Sequence, residues 1–253
     1  MTKKPKISIV IPNYNEKENL DRGTLSQVSN YLKKAKFTYE VIISDDGSTD
    51  GSKEVAMDFA KKNKHFRVLN NPHGGKAAAV YAGIKAAKGE VVLFTDMDQS
   101  TPLKEVEKLL PWYDKGYQVV FGSRGKVRKN FPWYRQLTSW GFRLVRQIFL
   151  LRDVTDTQCG FKSFKTSVAK EIFPKLEIIN NAGKIKGWVV SAFDVELLFL
   201  AEKFGYKLKE VDVDWQDEDI ATNKSKNFFK ESIDMLKQIL RVKINDLKGN
   251  YRK

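Results

Sequence analysis

The sequence predicts an α/β fold, a mostly parallel sheet flanked by helices, with basic amphipathic helices in the C-terminal half. Three observations carry this. Short β-branched runs alternate with amphipathic stretches at the spacing of βαβ units. Polar loops rich in carboxylates follow several of those runs, where ligands gather in parallel sheets. The 253 residues, 42% hydrophobic and 12% aromatic, suffice for one full-sized core.

The first predicted strand is 7–11, a β-branched run closed by Pro12. Strands at 40–44, 66–69, 90–95 and 119–121 follow. Between them the apolar spacing predicts helices at 16–34, 52–62, 76–88 and 103–115. No internal repeat or low-complexity segment interrupts them. Residues 1–222 read as one domain and 223–253 as a basic helical tail.

The loops after the strands hold the candidate chemistry. Asn15 can cap the helix that follows the first strand, and Tyr14 can stack on a base. The carboxylates of Asp45-Asp46-Gly47-Ser48-Thr49-Asp50-Gly51 can accept hydrogen bonds from a base or ribose, or serve only to cap a turn. Gly74-Gly75-Lys76 opens a helix, where backbone N–H groups and a lysine can meet phosphate. His73, just before it, reads as an ordinary loop residue. Val91 to Phe94 climbs to Asp96-Met97-Asp98, two carboxylates able to hold a divalent cation and through it a diphosphate. There is no G-x-G-x-x-G after the first strand and no P-loop spacing, which argues against those nucleotide folds.

Charge narrows the partners. With 45 Lys+Arg against 31 Asp+Glu the formal net charge is +14, so an anionic partner is expected. Cys159 is the only cysteine, which excludes an internal disulfide and suits a reducing compartment. No signal-like h-region and no run of about 18 apolar residues is present, so a soluble or membrane-surface protein is expected.

The series Ile9-Val10-Ile11-Pro12-Asn13-Tyr14-Asn15-Glu16, Ser44-Asp45-Asp46-Gly47-Ser48-Thr49-Asp50-Gly51 and Asp96-Met97-Asp98 resembles the family 2 inverting glycosyltransferases of the GT-A (Rossmann-like) fold. Gly122-Ser123-Arg124, 156–162 and 193–198 are similar to the dolichyl-phosphate glucosyltransferase and mannosyltransferase branch, nearer the glucosyl side. The resemblance spans roughly residues 7–226. It implies nucleotide contacts at Pro12, Tyr14 and Glu16, and a base and ribose lining at Ser44 and Asp46. It implies a Mg²⁺ or Mn²⁺ on Asp96 and Asp98, with Gln99 assisting. Lys76, Lys224 and Lys226 become candidate diphosphate contacts, the last two in a segment that closes over the donor.

The acceptor implied is polyprenyl or dolichyl phosphate. Such an oxygen is already anionic, so cations must bring two anions together; Arg124, Arg135 and Lys162 are the matching positions, with Ser139 a hydrogen-bond partner. A hydroxyl acceptor needs a general base instead, and Asp194 is the candidate. Asp194 and Glu196 read equally as acids enriched at a helix N-terminus.

Residues 124–152 carry eight basic side chains and no acidic one. From Trp133 their apolar positions share a helix face, giving an amphipathic helix at about 131–152 that lies on an anionic membrane or packs on the sheet. The tail, with nine basic residues against three acidic, has a stripe at Phe229, Ile233, Leu236, Leu240, Ile244 and Leu247. It can dock on the domain, a membrane or a second subunit.

The expected function is metal-dependent inverting transfer of a hexose to polyprenyl phosphate, with glucose from UDP-glucose ahead of mannose from GDP-mannose, at the cytosolic face of a membrane. The alternatives are a glycan, protein or other hydroxyl acceptor, or, in another class, a basic nucleic-acid-binding or scaffold protein. No nucleic-acid motif is present, and acidic strand-end loops repel such a ligand.

Overall fold

The computed structural model describes residues 4–125, 151, 154–180, 193–216 and 228–252. Seven strands form one sheet: β1 (Ile7–Asn13), β2 (Tyr39–Asp45), β3 (Phe66–Asn70), β4 (Val91–Phe94), β5 (Val119–Ser123), β6 (Lys162–Lys165) and β7 (Leu208–Asp212). Their order is β3-β2-β1-β4-β6-β5-β7. Every pairing is parallel except those of β6, which runs against both β4 and β5. The expected α/β class holds. The five expected strands are there; β6 and β7 were not foreseen.

Period-two alternation explains the two cores. Ile7, Ile9, Ile11, Val41, Ile43, Val91 and Leu93 point to one face of the sheet. They meet Leu20 of α1 (Lys17–Asp21), Leu25, Val28 and Leu32 of α2 (Thr24–Leu32), and Ala56 of α3 (Ser52–Lys62). Val10, Ile42, Val92, Phe94, Phe121 and Phe164 point to the other, against Ala77, Val80 and Ile84 of α4 (Lys76–Ala86). Each such buried Ile, Leu, Val or Phe contributes about 1.5–3 kcal/mol.

The single helix expected over 16–34 is two, because Gly23 takes φ +84 and interrupts the turn between α1 and α2. The helix expected at 103–115 is a 3₁₀ turn followed by Val106–Leu109 and Pro111–Asp114. The segment 131–152, with Arg135 and Ser139, lies outside the described residues apart from Leu151, and so do Lys224 and Lys226. The C-terminal helix Phe228–Leu247 buries Ile239 and Val242 in the same core as Phe193–Lys203. Leu240, Ile244 and Leu247 stay 46%, 50% and 76% exposed, so one edge of that helix is apolar and uncovered.

Register decides what the fold positions. Asn13 lies opposite Asp45, and Phe94 opposite Val10, so β1, β2 and β4 end along one edge. Since β6 is reversed, its first residue, Lys162, lies beside Phe94 and Phe121 at that same edge.

A candidate active site at the strand ends

The loops after β1 and β2 are stitched together by short polar side chains. Asp45, fully buried, accepts from Asn13 Nδ2 (2.7 Å) and Ser48 Oγ (2.6 Å), and from the N–H groups of Gly47 and Ser48. Asn15 does not cap α1. Its backbone is left-handed at φ 54, its side-chain oxygen accepts from Thr49 N at 2.9 Å, and its own N–H donates to Ser48 Oγ. The N-cap position of α1 is Glu16, which makes no side-chain cap; its carboxylate accepts from the side-chain amide of Asn19. Pro12 is buried at the strand end, with Tyr14 and Glu16 half-buried beyond it.

Ser44 sits beneath this surface. It is fully buried, donates to the Ala79 carbonyl at 2.6 Å and accepts from Asn71, so its hydroxyl ties β2 to α4 rather than facing a ligand. Asp46 is also fully buried but carries the next loop: Gly74 N and Gly75 N each donate to its carboxylate at 2.9 Å. Those N–H groups, expected to meet phosphate, are committed to a buried acid that needs donors. His73 Nδ1 reaches the same carboxylate at 2.8 Å, and its ring stacks on Tyr14 with centroids 4.6 Å apart. Burial pushes the Asp46 carboxyl above its ordinary value, against the pull of the Gly74, Gly75 and His73 donors.

Lys76, the first residue of α4, places its ammonium 2.5 Å from Asp96 Oδ1. Burial alone would lower its pKa; the carboxylates of Asp96, Asp194 and Asp98 outweigh that and hold it well above the usual lysine range. Asp96 fits only because residue 160 is glycine, where a Cβ would overlap its carboxylate. Asp98 accepts from Ser100 N at 2.8 Å, and its carbonyl accepts from Arg22 at 2.6 Å. Gln99, left-handed at φ 54, donates its side-chain amide to the Asp96 carbonyl at 2.7 Å, which leaves the amide oxygen as its atom for a cation.

The remaining charges are paired. Lys162 is fully buried, with Nζ 2.7 Å from Asp194 Oδ1 and also donating to the Cys159 carbonyl. Asp194 is the second residue of the helix Phe193–Lys203, so its expected helix-terminal place and its place in the site coincide. The Arg124 guanidinium forks onto Asp156 at 2.7 and 2.8 Å and lies over Trp215. Burial raises the Asp156 carboxyl, but the Arg124 fork wins and holds it well below the usual carboxylate range. Arg124 and Lys162, expected as open cations for two anions, are therefore already compensated. A cavity of about 590 Å³ opens here, lined by Gln99, Lys104, Arg124, Trp215 and Gln216 among others.

Four cations, Lys76, Lys162, Arg124 and Arg22, thus stand among four carboxylates, Asp96, Asp98, Asp156 and Asp194. The hard oxygen donors of Asp96 and Asp98 fit Mg²⁺ or Mn²⁺. No cluster of three or more His, Cys, Asp or Glu that could hold a metal occurs among the described residues. Such an ion takes one or two carboxylates and completes its shell with phosphate oxygens and water. Sequence reasoning missed Arg22, Asp156 and His73 as parts of this edge. Only Asp156 left a signal, as the first residue of a quoted motif.

Residues 8–173 match Glycosyl transferase family 2. The dolichyl-phosphate beta-glucosyltransferase of Dictyostelium discoideum is 32% identical over 97% of this chain and 76% of that protein. The Homo sapiens protein of that name is 32% identical over 97% and 77%. Among solved structures, a mannosyltransferase from Pyrobaculum calidifontis in complex with GDP-Man and Mn²⁺ aligns with a TM-score of 0.62 at 16% identity, covering 95% of this chain and 65% of its own. Glucosyl-3-phosphoglycerate synthase from Mycobacterium tuberculosis, in complex with Mn²⁺, uridine-diphosphate and glucosyl-3-phosphoglycerate, gives 0.59 at 18% identity, covering 98% and 80%. At such identities the two structures speak for the fold alone.

Proposed function

This chain belongs to glycosyl transferase family 2 and is a glycosyltransferase, and on that premise we propose that it moves glucose from UDP-glucose to a dolichyl-type polyprenyl phosphate. The observation that carries the reading is the Asp96, Asp98 and Lys76 cluster at the end of β4, in a chain alike over most of its length to dolichyl-phosphate beta-glucosyltransferases.

Asp96 and Asp98, with Gln99 beside them, would hold the Mg²⁺ or Mn²⁺. Bound there, that ion supplies Lewis-acid stabilisation of the departing nucleoside diphosphate. Lys76 adds a fixed positive charge at the same place, and Pro12, Tyr14, Glu16 and Asp46 flank the nucleoside end. A lipid phosphate oxygen attacks the anomeric carbon from the face opposite the leaving group, a glycosidic bond forms to that oxygen, and the anomeric centre inverts. Arg124 sits at the cavity that would receive this anion; Arg135, Lys224 and Lys226 are proposed to complete the phosphate contacts.

The pairing of Asp194 favours a phosphate over a hydroxyl acceptor. Its carboxylate is engaged by the enclosed Lys162 ammonium at 2.7 Å, and taking a proton from a hydroxyl would leave that cation buried and uncompensated. No helix of the described residues is long and apolar enough to cross a membrane. Peripheral binding to the cytosolic face is proposed, supported by the +14 charge and the exposed Leu240, Ile244 and Leu247.

The deciding experiment offers labelled UDP-glucose or GDP-mannose with polyprenyl phosphate, with and without Mn²⁺ or Mg²⁺. Metal-dependent glucolipid from UDP-glucose is expected. Hydrolysis of the donor without glycolipid would remove the acceptor from the reading, and mannolipid alone would reverse the donor.

A further inference from the structure

The sequence marks His73 as a loop residue, yet it touches two of the three loops at the nucleoside end and belongs to the third. Its Nδ1 is 2.8 Å from Asp46 Oδ2 and 3.1 Å from the Asp46 carbonyl. Its ring lies on Tyr14 at 4.6 Å between centroids, tilted by 24°. Its backbone packs beside Gly47, so the turn after β2 and the turn before α4 are in contact at this point. Tyr14 comes from the β1 loop, Asp46 from the β2 loop, and His73 stands three residues before Lys76, whose ammonium is at Asp96.

The two contacts do different things. A carboxylate offers about four acceptor directions. Gly74, Gly75 and His73 fill three on Asp46, so this fully buried side chain is fixed beneath the loop surface. Stacking fixes the other surface: an aromatic ring held flat against a second ring cannot swing, and a planar base can lie on a pair so held.

We infer that His73 is the positioning residue of the nucleobase seat, pinning Asp46 through Nδ1 and backing Tyr14 through its ring. The inference rests on the nucleotide-sugar reading above. It makes affinity for the nucleoside end depend on a side chain that need not touch the sugar or the diphosphate. The cost of losing it falls on donor binding and not on the chemical step.

Two substitutions separate the contacts. His73→Asn keeps a donor for Asp46 and loses the ring; His73→Phe keeps the ring and loses the donor. Binding of UDP, GDP and inorganic pyrophosphate, each with Mn²⁺, is measured by calorimetry on the full chain, with thermal melting of each variant as a control. Wild type is expected to bind UDP or GDP. His73→Ala should weaken that nucleotide about 10- to 30-fold, and the Asn and Phe variants about 3- to 10-fold each, for lost hydrogen bonding and stacking respectively. Pyrophosphate affinity should stay within about twofold, and donor KM should rise at near-constant kcat, the mark of lost ground-state binding.

Unchanged nucleotide affinity in all three variants overturns the role of His73 and leaves the proposed function standing. An equal loss for pyrophosphate also overturns it, since the effect would then be general. A wild-type chain that binds neither UDP nor GDP removes the nucleotide-sugar reading and this inference with it.

Discussion

Lys76 Nζ lies 2.5 Å from Asp96 Oδ1, so a lysine already occupies one of the two carboxylates that can hold a cation. In the proposed function an ammonium and a metal ion would compete for that oxygen until a diphosphate took up the lysine. Lys76→Ala should therefore bind Mn²⁺ more tightly in the absence of nucleotide, by about three- to tenfold, a repulsion of order 1 kcal/mol removed. The same variant should lose about 100-fold in kcat/KM, or about 2.7 kcal/mol of transition-state stabilisation. Electron paramagnetic resonance of free Mn²⁺ and steady-state rates test the two halves; weaker metal binding in the variant would contradict the competition.

Gly160 makes room for Asp96. Adding one methyl by Gly160→Ala must displace the carboxylate or the backbone, and such overpacking costs about 1–3 kcal/mol. The expected result is a modest fall in melting temperature with a large fall in metal-dependent turnover. Turnover at the wild-type level would show that Asp96 need not stand where it does.

The Arg124–Asp156 pair gives a pH signature. Its carboxyl pKa is lower in the folded chain than in the unfolded one, so the pair's stabilisation is present above the unfolded value of about 3.9 and is lost as pH falls towards the folded value. Asp156→Asn should destabilise by about 3 kcal/mol near neutrality, the scale for breaking a buried pair. In urea titrations the gap between variant and wild type should be flat from about pH 7 to 5 and narrow below about pH 4. A gap that widens in acid would reverse the assignment.

Leu240, Ile244 and Leu247 form an uncovered edge on the C-terminal helix, flanked by exposed Lys237 and Lys248. Replacing Ile244 and Leu247 by Glu should reduce binding to phosphatidylserine-containing vesicles by about tenfold or more, from lost apolar insertion and added like charge. Stability should change by no more than about 0.5 kcal/mol, as for other surface positions. Vesicle sedimentation and melting curves measure both, and unaltered sedimentation would remove this edge from the proposed membrane binding.

How much of this was legible depends on what each element is made of. β1, β2 and β4 are runs such as Ile9-Val10-Ile11 and Val91-Val92-Leu93, buried on both faces, and such runs declare themselves. β6 does not: Lys162-Ser163-Phe164-Lys165 is short and polar, and it is a strand because β4 and β5 lie on either side of it. The same reversal hides the burial of Lys162, which no local pattern announces for a lysine. Asp96, Asp98 and Asp46 could be named because they end strands. What Gly74 and Gly75 donate to could not, since the acceptor is 28 residues away from the first of them. His73 reads from the sequence as a loop residue, and it is one; its contacts with Tyr14 and Asp46, both distant in the chain, leave no local pattern.

The reversed strand has a consequence for how the chain comes together during synthesis. β4 and β5 are not paired with each other; β6 joins them, and β7 pairs in the sheet with β5. As the polypeptide emerges, β1 to β4 can assemble early, but the outer edge of β4 stays open until about 70 further residues have been made. An open edge of hydrophobic strand invites pairing with a stranger. The interval between the synthesis of β4 and that of β6 is thus the period in which this chain is most exposed to mispairing.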